Sequence, residues 1–208
     1  PDTMDTFMCS SFYLFRYCDP KNDREPWRRS EADKWAPVDL YIGGVEHACM
    51  HLLYFRFMTK VLFDAGWLPS DEPVTRLFNH GMVYDAKGEL MSKSKGNAIS
   101  PSEIFDRWGV DVCRLAMLFF APSDAEIKWK DEGLVGANRF VNRLWDLFDD
   151  VAPKVAGVSG ASAAYKPLRR KLHQTIARMT DACEHGLNFN TAIAHIMELL
   201  NVYDGEKP

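Results

Sequence analysis

Val38-Asp39-Leu40-Tyr41-Ile42 is a short β-prone run, closed by Gly43-Gly44 and followed by Val45-Glu46-His47-Ala48-Cys49-Met50-His51. From Glu46 to about Ala65 the apolar positions recur at helical spacing, and Gly66 is a natural stop. Strand, glycine turn and helix in that order are the grammar of a parallel α/β sheet. Toward the N-terminus, Phe7-Met8-Cys9 reads as a strand passing through Ser10-Ser11 into a short helix, and residues 19–36 read as a polar surface connection. Toward the C-terminus, Leu77-Phe78 leads into Gly81-Met82-Val83-Tyr84 and an Asp85-Ala86-Lys87-Gly88 turn. Short helices are expected from Pro101 and over Asp111 to Phe120. Residues 133–150, 167–185 and 189–202 read as three amphipathic helices, with a Gly/Ala/Ser linker at 156–164. An α/β part followed by an α-helical part is the expected architecture.

The bulk properties restrict the function. A net charge of −4 advertises no nucleic-acid binding, so any RNA contact must come from local basic patches. No run approaches eighteen apolar residues, which favours a soluble, cytoplasmic protein without a membrane partner. The five cysteines form no close pair, so reduced thiols are expected, with no zinc ligands and no disulfide framework. Pro1 at the start and the polar run Asp204–Pro208 at the end lead us to expect a piece of a longer polypeptide.

Four stretches carry chemistry. In Met91-Ser92-Lys93-Ser94-Lys95-Gly96-Asn97, small residues alternate with two lysines whose ammonium groups can reach charge on a leaving pyrophosphate; a solvated basic turn is the bland alternative. In Gly43–His51, glycines before a helix let a ligand approach backbone N–H groups, and Glu46 sits in the first turn. His47 and His51, four apart, would share a helical face as zinc ligands, core histidines or pocket walls. Asp5-Thr6-Phe7-Met8-Cys9-Ser10-Ser11-Phe12-Tyr13 is either a packed core segment or a pocket lining. In Asn138–Trp145, Arg139 and Arg143 lie on one helical face with Phe140, Leu144 and Trp145 on the buried side, either as an ordinary amphipathic helix or as a phosphate-contacting one.

As ordered strings these stretches resemble the class I aminoacyl-tRNA synthetases. The 91–97 loop is similar to their Lys-Met-Ser-Lys-Ser loop, with Leu90 in place of the first lysine and Lys87 the nearest upstream cation. Gly43–His51 resembles the Gly-Gly-x-Glu-His-Ala-x-x-His segment of the leucyl enzymes. Asp5–Tyr13 is similar to their Asp-Thr-Phe-x-x-Ser-Ser-Trp-Tyr stretch, with Cys9 where an acidic residue is expected and Phe12 where tryptophan is.

The resemblance implies an α/β fold, a partial Rossmann-like class I catalytic domain followed by a helical-bundle segment. Its implied divisions are 1–97 for the catalytic half, 98–132 for a stem, and 133–208 for the start of an anticodon-binding domain. It further implies that Lys93, supported by Ser92 and Lys95, stabilises the departing pyrophosphate of ATP carried with Mg2+. Gly43, Gly44 and Glu46 would hold the ribose, and backbone at Met82 and Val83 the adenine. Phe7, Ser10, Tyr13, His47 and His51 would line a leucine pocket, and Arg139 and Arg143 would meet tRNA(Leu). One methylene is worth only about 1–3 kcal/mol of discrimination, so an editing insertion is expected in the remainder of the same polypeptide, upstream. A His-x-Gly-His segment, the other half of the family's phosphate site, is expected there too. The isolated piece is therefore expected to be inactive. Another class I synthetase and a non-catalytic RNA-binding paralogue stay open as alternatives.

Overall fold

A computed structural model describes residues 3–155 and 165–205. The chain divides between His80 and Gly81 into two units.

In the first unit the Asp5 carboxylate accepts from the Phe7 N–H at 2.8 Å. This satisfies one of the donors that a helix start leaves open. α1 (Thr6–Ser10) and α2 (Tyr13–Cys18) follow. The strand expected over Phe7-Met8-Cys9 is thus a helix, because a local cap outweighs the β propensity of three residues. Arg16 fastens the polar connection, donating to the carbonyls of Pro26 (2.7 Å), Asn22 (2.8 Å) and Pro20 (3.0 Å). α3 (Arg29–Trp35) leads to β1 (Tyr41–Gly44). The helix expected to run unbroken from Glu46 is two pieces, a 3-10 turn over Val45–Cys49 and α4 (His51–Asp64). Met50, at φ −122° and ψ −104°, lies outside the helical region and interrupts the hydrogen-bond ladder. α4 then crosses to β2 (Leu77–His80), which pairs in parallel with β1, Tyr41 opposite Leu77 and Gly44 opposite His80. Phe15, Trp27, Ala32, Phe55 and Leu68 form the core beneath this crossover.

Two carboxylates give this unit a defined acid response. The Arg28 guanidinium, 2.9 Å from Asp19, holds that carboxyl down to about 2 from an ordinary 3.8, with Asn22 assisting. Arg56 does the same for Glu72, lowering it to about 2 from 4.5, assisted by Lys60. A carboxyl depressed in the folded state contributes stability above its unfolded value and loses it as pH falls through the folded one. The melting temperature is therefore expected to fall between about pH 4.5 and 2. Melts of Asp19→Asn/Glu72→Gln should fall less steeply across that window; an unchanged slope would refute the assignment.

In the second unit, β3 (Val83–Tyr84) pairs in parallel with β4 (Ile127–Lys128), Val83 opposite Ile127. Between them run the lysine-serine loop, α5 (Pro101–Trp108) and α6 (Val110–Phe119). Ser100 precedes α5 as its N-cap residue, and Pro101 takes the first turn, where its missing N–H has no helical acceptor to lose. Ile104, Val112, Cys113, Ala116, Trp129, Leu134 and Ala137 form one core. α7 (Asp131–Val155), α8 (Lys166–Asp181) and α9 (Phe189–Gly205) complete the unit, and a π-helical turn over Ala182–Gly186 extends α8. Phe140, Ile193 and Leu200 join α7 to α9. Trp145 is not on the buried side of α7 as expected, being 67% exposed. At about 100° per residue it falls well off the stripe of Phe140, Leu144 and Leu147. The linker expected at 156–164 lies outside the described residues. Among the described residues no helix is long and apolar enough to cross a membrane.

Candidate active site

The first unit builds its candidate site at the end of β1. Gly44 is buried, and a Cβ there would overlap the Glu46 carboxylate, which folds back over the glycine. Glycine at the end of β1 thus lets an acidic group lie against backbone. Beyond the break at Met50, the rings of His47 and His51 meet edge to face, 6.1 Å apart, so their proximity survives the loss of a shared helical face. His51 is 9% exposed and stacks on Phe55 at 5.3 Å. Burial, with the charge of His47 adding, pushes its imidazole below the ordinary histidine range and favours the neutral ring. Its Nε2 lies 2.8 Å from the Tyr41 hydroxyl, which lies 2.7 Å from the Tyr13 hydroxyl. The Nδ1 atoms of both His47 and His51 are buried without a hydrogen-bond partner. Phe7 stacks on Tyr54 at 5.7 Å. Ser10 turns its hydroxyl back to the Thr6 carbonyl, at 3.3 Å, leaving its lone pairs as acceptors. Tyr13, His47 and His51 therefore belong to a single aromatic and imidazole assembly, while Phe7 pairs separately with Tyr54 of α4.

The second unit presents the lysine-serine loop on a tied base. Asp85 Oδ1 accepts from the Lys87 and Glu89 N–H groups, both at 2.9 Å. Asp85 Oδ2 accepts from Asn97 Nδ2 at 3.0 Å, and Asn97 Oδ1 accepts from the Ser92 N–H at 2.9 Å. The two ends of the loop are thereby latched, and these bonds hold the Asp85 carboxyl below its usual range. Lys93–Lys95 forms a single 3-10 turn capped by the Ser92 hydroxyl and left through Gly96 at φ +70°. Lys93 and Lys95 are exposed. A cavity of about 870 Å3 opens beside the latch, lined by Asp85, Lys87, Met91, Asn97 and Trp129 among others. The carbonyls of Met82 and Val83 each accept one bond, from Ile127 N at 2.8 Å and Met91 N at 3.0 Å, and each keeps a second lone pair. A rigid base carrying two exposed ammonium groups suits an anionic ligand, phosphate above all.

A family model described as tRNA synthetases class I (I, L, M and V) matches residues 1–130. The chain belongs to this family. Leucine–tRNA ligase of Petrotoga mobilis is 46% identical over 206 residues, 96% of this chain and 25% of that protein. That of Thermotoga maritima is 48% identical over 205 residues, with the same coverage of 96% and 25%. The chain thus spans about a quarter of the length of the curated relatives it matches. Among solved structures, the ternary LeuRS-tRNA-LeuAMS complex from Agrobacterium radiobacter superposes with a TM-score of 0.90 at 38% identity, covering 99% of this chain and 28% of that one. The Mycobacterium tuberculosis methionyl-tRNA synthetase in complex with methionyl-adenylate gives 0.63 at 24% identity, over 90% and 36%, and shares the fold. The paired parallel strands with their helices are accordingly part of a class I α/β catalytic domain, with helices following.

Three positions in this synthetase chain escaped the sequence reading. Tyr41 was read only as part of a β-prone run, although strand alternation places it on the same face as Gly43. Asp85 was read only as a turn residue, and Asn97 only as the end of a motif. At the other candidate site, Arg139 is exposed, whereas Arg143 donates to Asp204 Oδ2 at 3.1 Å and to Asn201 Oδ1 at 2.9 Å. Both arginines line a cavity of about 600 Å3 together with Asp146, Asp150 and Asp204. The structure therefore sets these arginines among carboxylates.

Proposed function

We propose that the chain is part of a leucine–tRNA ligase, which joins leucine to ATP as leucyl adenylate and transfers it to tRNA(Leu). What supports leucine most is the agreement with a leucyl enzyme at a TM-score of 0.90 over 99% of the chain, against 0.63 for a methionyl one. The leucine carboxylate attacks the ATP α-phosphate in line, and pyrophosphate leaves; such chemistry rests on positioning and charge stabilisation. Lys93 meets the charge that develops on pyrophosphate, with Ser92 and Lys95 supporting it and Mg2+ arriving with the nucleotide. Gly43, Gly44 and Glu46 serve the ribose, and the Met82 and Val83 backbone serves adenine. Phe7, Ser10, Tyr13, His47 and His51 receive the leucine side. Arg139 and Arg143 contact tRNA phosphates. An exposed pair such as Arg143–Asp204 is worth about 0–1 kcal/mol, so exchanging it for a phosphate costs little. We place the activity in the cytoplasm, and keep the functional divisions at 1–97, 98–132 and 133–208.

The natural-length protein should catalyse ATP–pyrophosphate exchange with leucine in preference to isoleucine, valine or methionine. Preference for one of those would overturn the leucine reading. The isolated 208 residues should exchange no faster than blank. Exchange well above blank that Lys93→Ala abolishes would overturn the reading of a partial site.

A further inference from the structure

Tyr41 occupies a place in the first unit that no pocket role covers. Its hydroxyl lies 2.7 Å from that of Tyr13 and 2.8 Å from His51 Nε2, so two of its hydrogen-bonding positions are taken up by side chains. Its ring packs 5.7 Å from Phe55, against which His51 stacks nearly parallel at 16°. Burial and the bond to Tyr13 push its phenol up, keeping it protonated.

We propose that Tyr41 is a positioning residue for amino-acid binding, setting how Tyr13 and His51 present their polar atoms to the bound amino acid. This rests on the reading of Tyr13 and His51 as pocket residues. A neutral imidazole carries one proton, and each phenol carries one. Two arrangements satisfy both bonds with the Tyr41 proton used in one of them; a third, in which Tyr41 accepts from both neighbours, leaves its own proton unbonded. In one, Tyr13 donates to Tyr41 and Tyr41 donates to Nε2; His51 then carries its proton on Nδ1, and the outward face of Tyr13 is an acceptor. In the other, Nε2–H donates to Tyr41 and Tyr41 donates to Tyr13; Nδ1 is then an acceptor, and Tyr13 has a proton to donate outward. In the two arrangements that use the Tyr41 proton, the two ends change character together through the Tyr41 hydroxyl. The outer end of this relay, His51 Nδ1, is buried and has no partner of its own. A buried polar atom left unmatched is costly, so pairing it with the α-amino or α-carboxylate group of the amino acid adds to affinity. Without the bridge, Tyr13 and His51 each lose the bond that fixes their orientation.

Tyr41→Phe removes only the hydroxyl and keeps the ring against Phe55. In the natural-length protein it is expected to raise KM for leucine about tenfold in pyrophosphate exchange, with KM for ATP within about twofold, which also reports an intact fold. Tyr13→Phe should do the same. The double variant Tyr13→Phe/Tyr41→Phe should be no worse than either single one, because both break one relay, whereas two independent structural losses would multiply. A leucine KM unchanged in Tyr41→Phe, while Tyr13→Phe and His51→Ala raise it, would overturn the role of Tyr41 and leave the pocket reading standing. Multiplicative losses in the double variant would overturn it as well. If all three single variants leave the leucine KM unchanged, the pocket reading fails and the proposal fails with it.

Discussion

Replacing Lys93 with alanine is expected to slow leucine-dependent pyrophosphate exchange by the natural-length protein by about 10²–10³-fold, the loss typical of removing one preorganised group from developing charge. The effect should fall on kcat, with KM for leucine within about threefold, because charge on the leaving pyrophosphate is greatest in the transition state. The structure gives a reason for so large a loss. The ammonium rides on a single 3-10 turn whose base is latched by Asn97 between Asp85 and the Ser92 N–H, at 3.0 and 2.9 Å. A group held on a tied base spends little reorganisation energy at the moment of reaction. Leu90, at the position of the family's first lysine, bridges back to Tyr84 and supplies no second cation beside it. Lys93 is accordingly expected to bear more of the burden here. A fall of less than about threefold would remove Lys93 from the chemistry.

Gly81→Ala is expected to destabilise the second unit by about 3 kcal/mol, combining overpacking with broken backbone hydrogen bonds. A Cβ at Gly81 would overlap the backbone carbonyl of Ala125, which cannot rotate aside as a side chain can. The strands would have to part where Gly81 N–H donates to Ser123 at 3.0 Å and Ile127 N–H donates to Met82 at 2.8 Å. β3 and β4 are two residues each, so little else holds their register. The melting temperature should drop by roughly 10 °C. Gly136→Ala is the control. Inside α7, with nothing within 4 Å of its Cβ, the same chemical change should stabilise by about 0.5–1 kcal/mol. Equal and small shifts in both variants would show that the approach to Ala125 does not matter.

Some of this protein was written locally. Of the β-prone run from Val38, Tyr41-Ile42 became β1 together with Gly43-Gly44, which continue the strand instead of closing it, while Val38 makes only an isolated bridge to Val74. Met91–Asn97 was legible because an ordered string of small and charged residues makes its own turn, as the Ser92 cap and Gly96 exit do. Pro101 likewise marks a helix start that needs no distant partner. The misreadings lie where neighbours in space decide. The helix at Phe7 is the exception, since its Asp5 cap is local, whereas Trp145 lies off the buried stripe because α9 packs along Phe140 and Leu147. Tyr41 met Tyr13 across 28 positions, and Asn97 met Asp85 across 12. Local sterics and capping act between adjacent residues, so sequence alone determined β1, the loop and the family resemblance. Side chains far apart along the chain find one another only after packing has fixed their backbones. Only the tertiary structure could therefore decide the Tyr41 relay and the latch beneath Lys93.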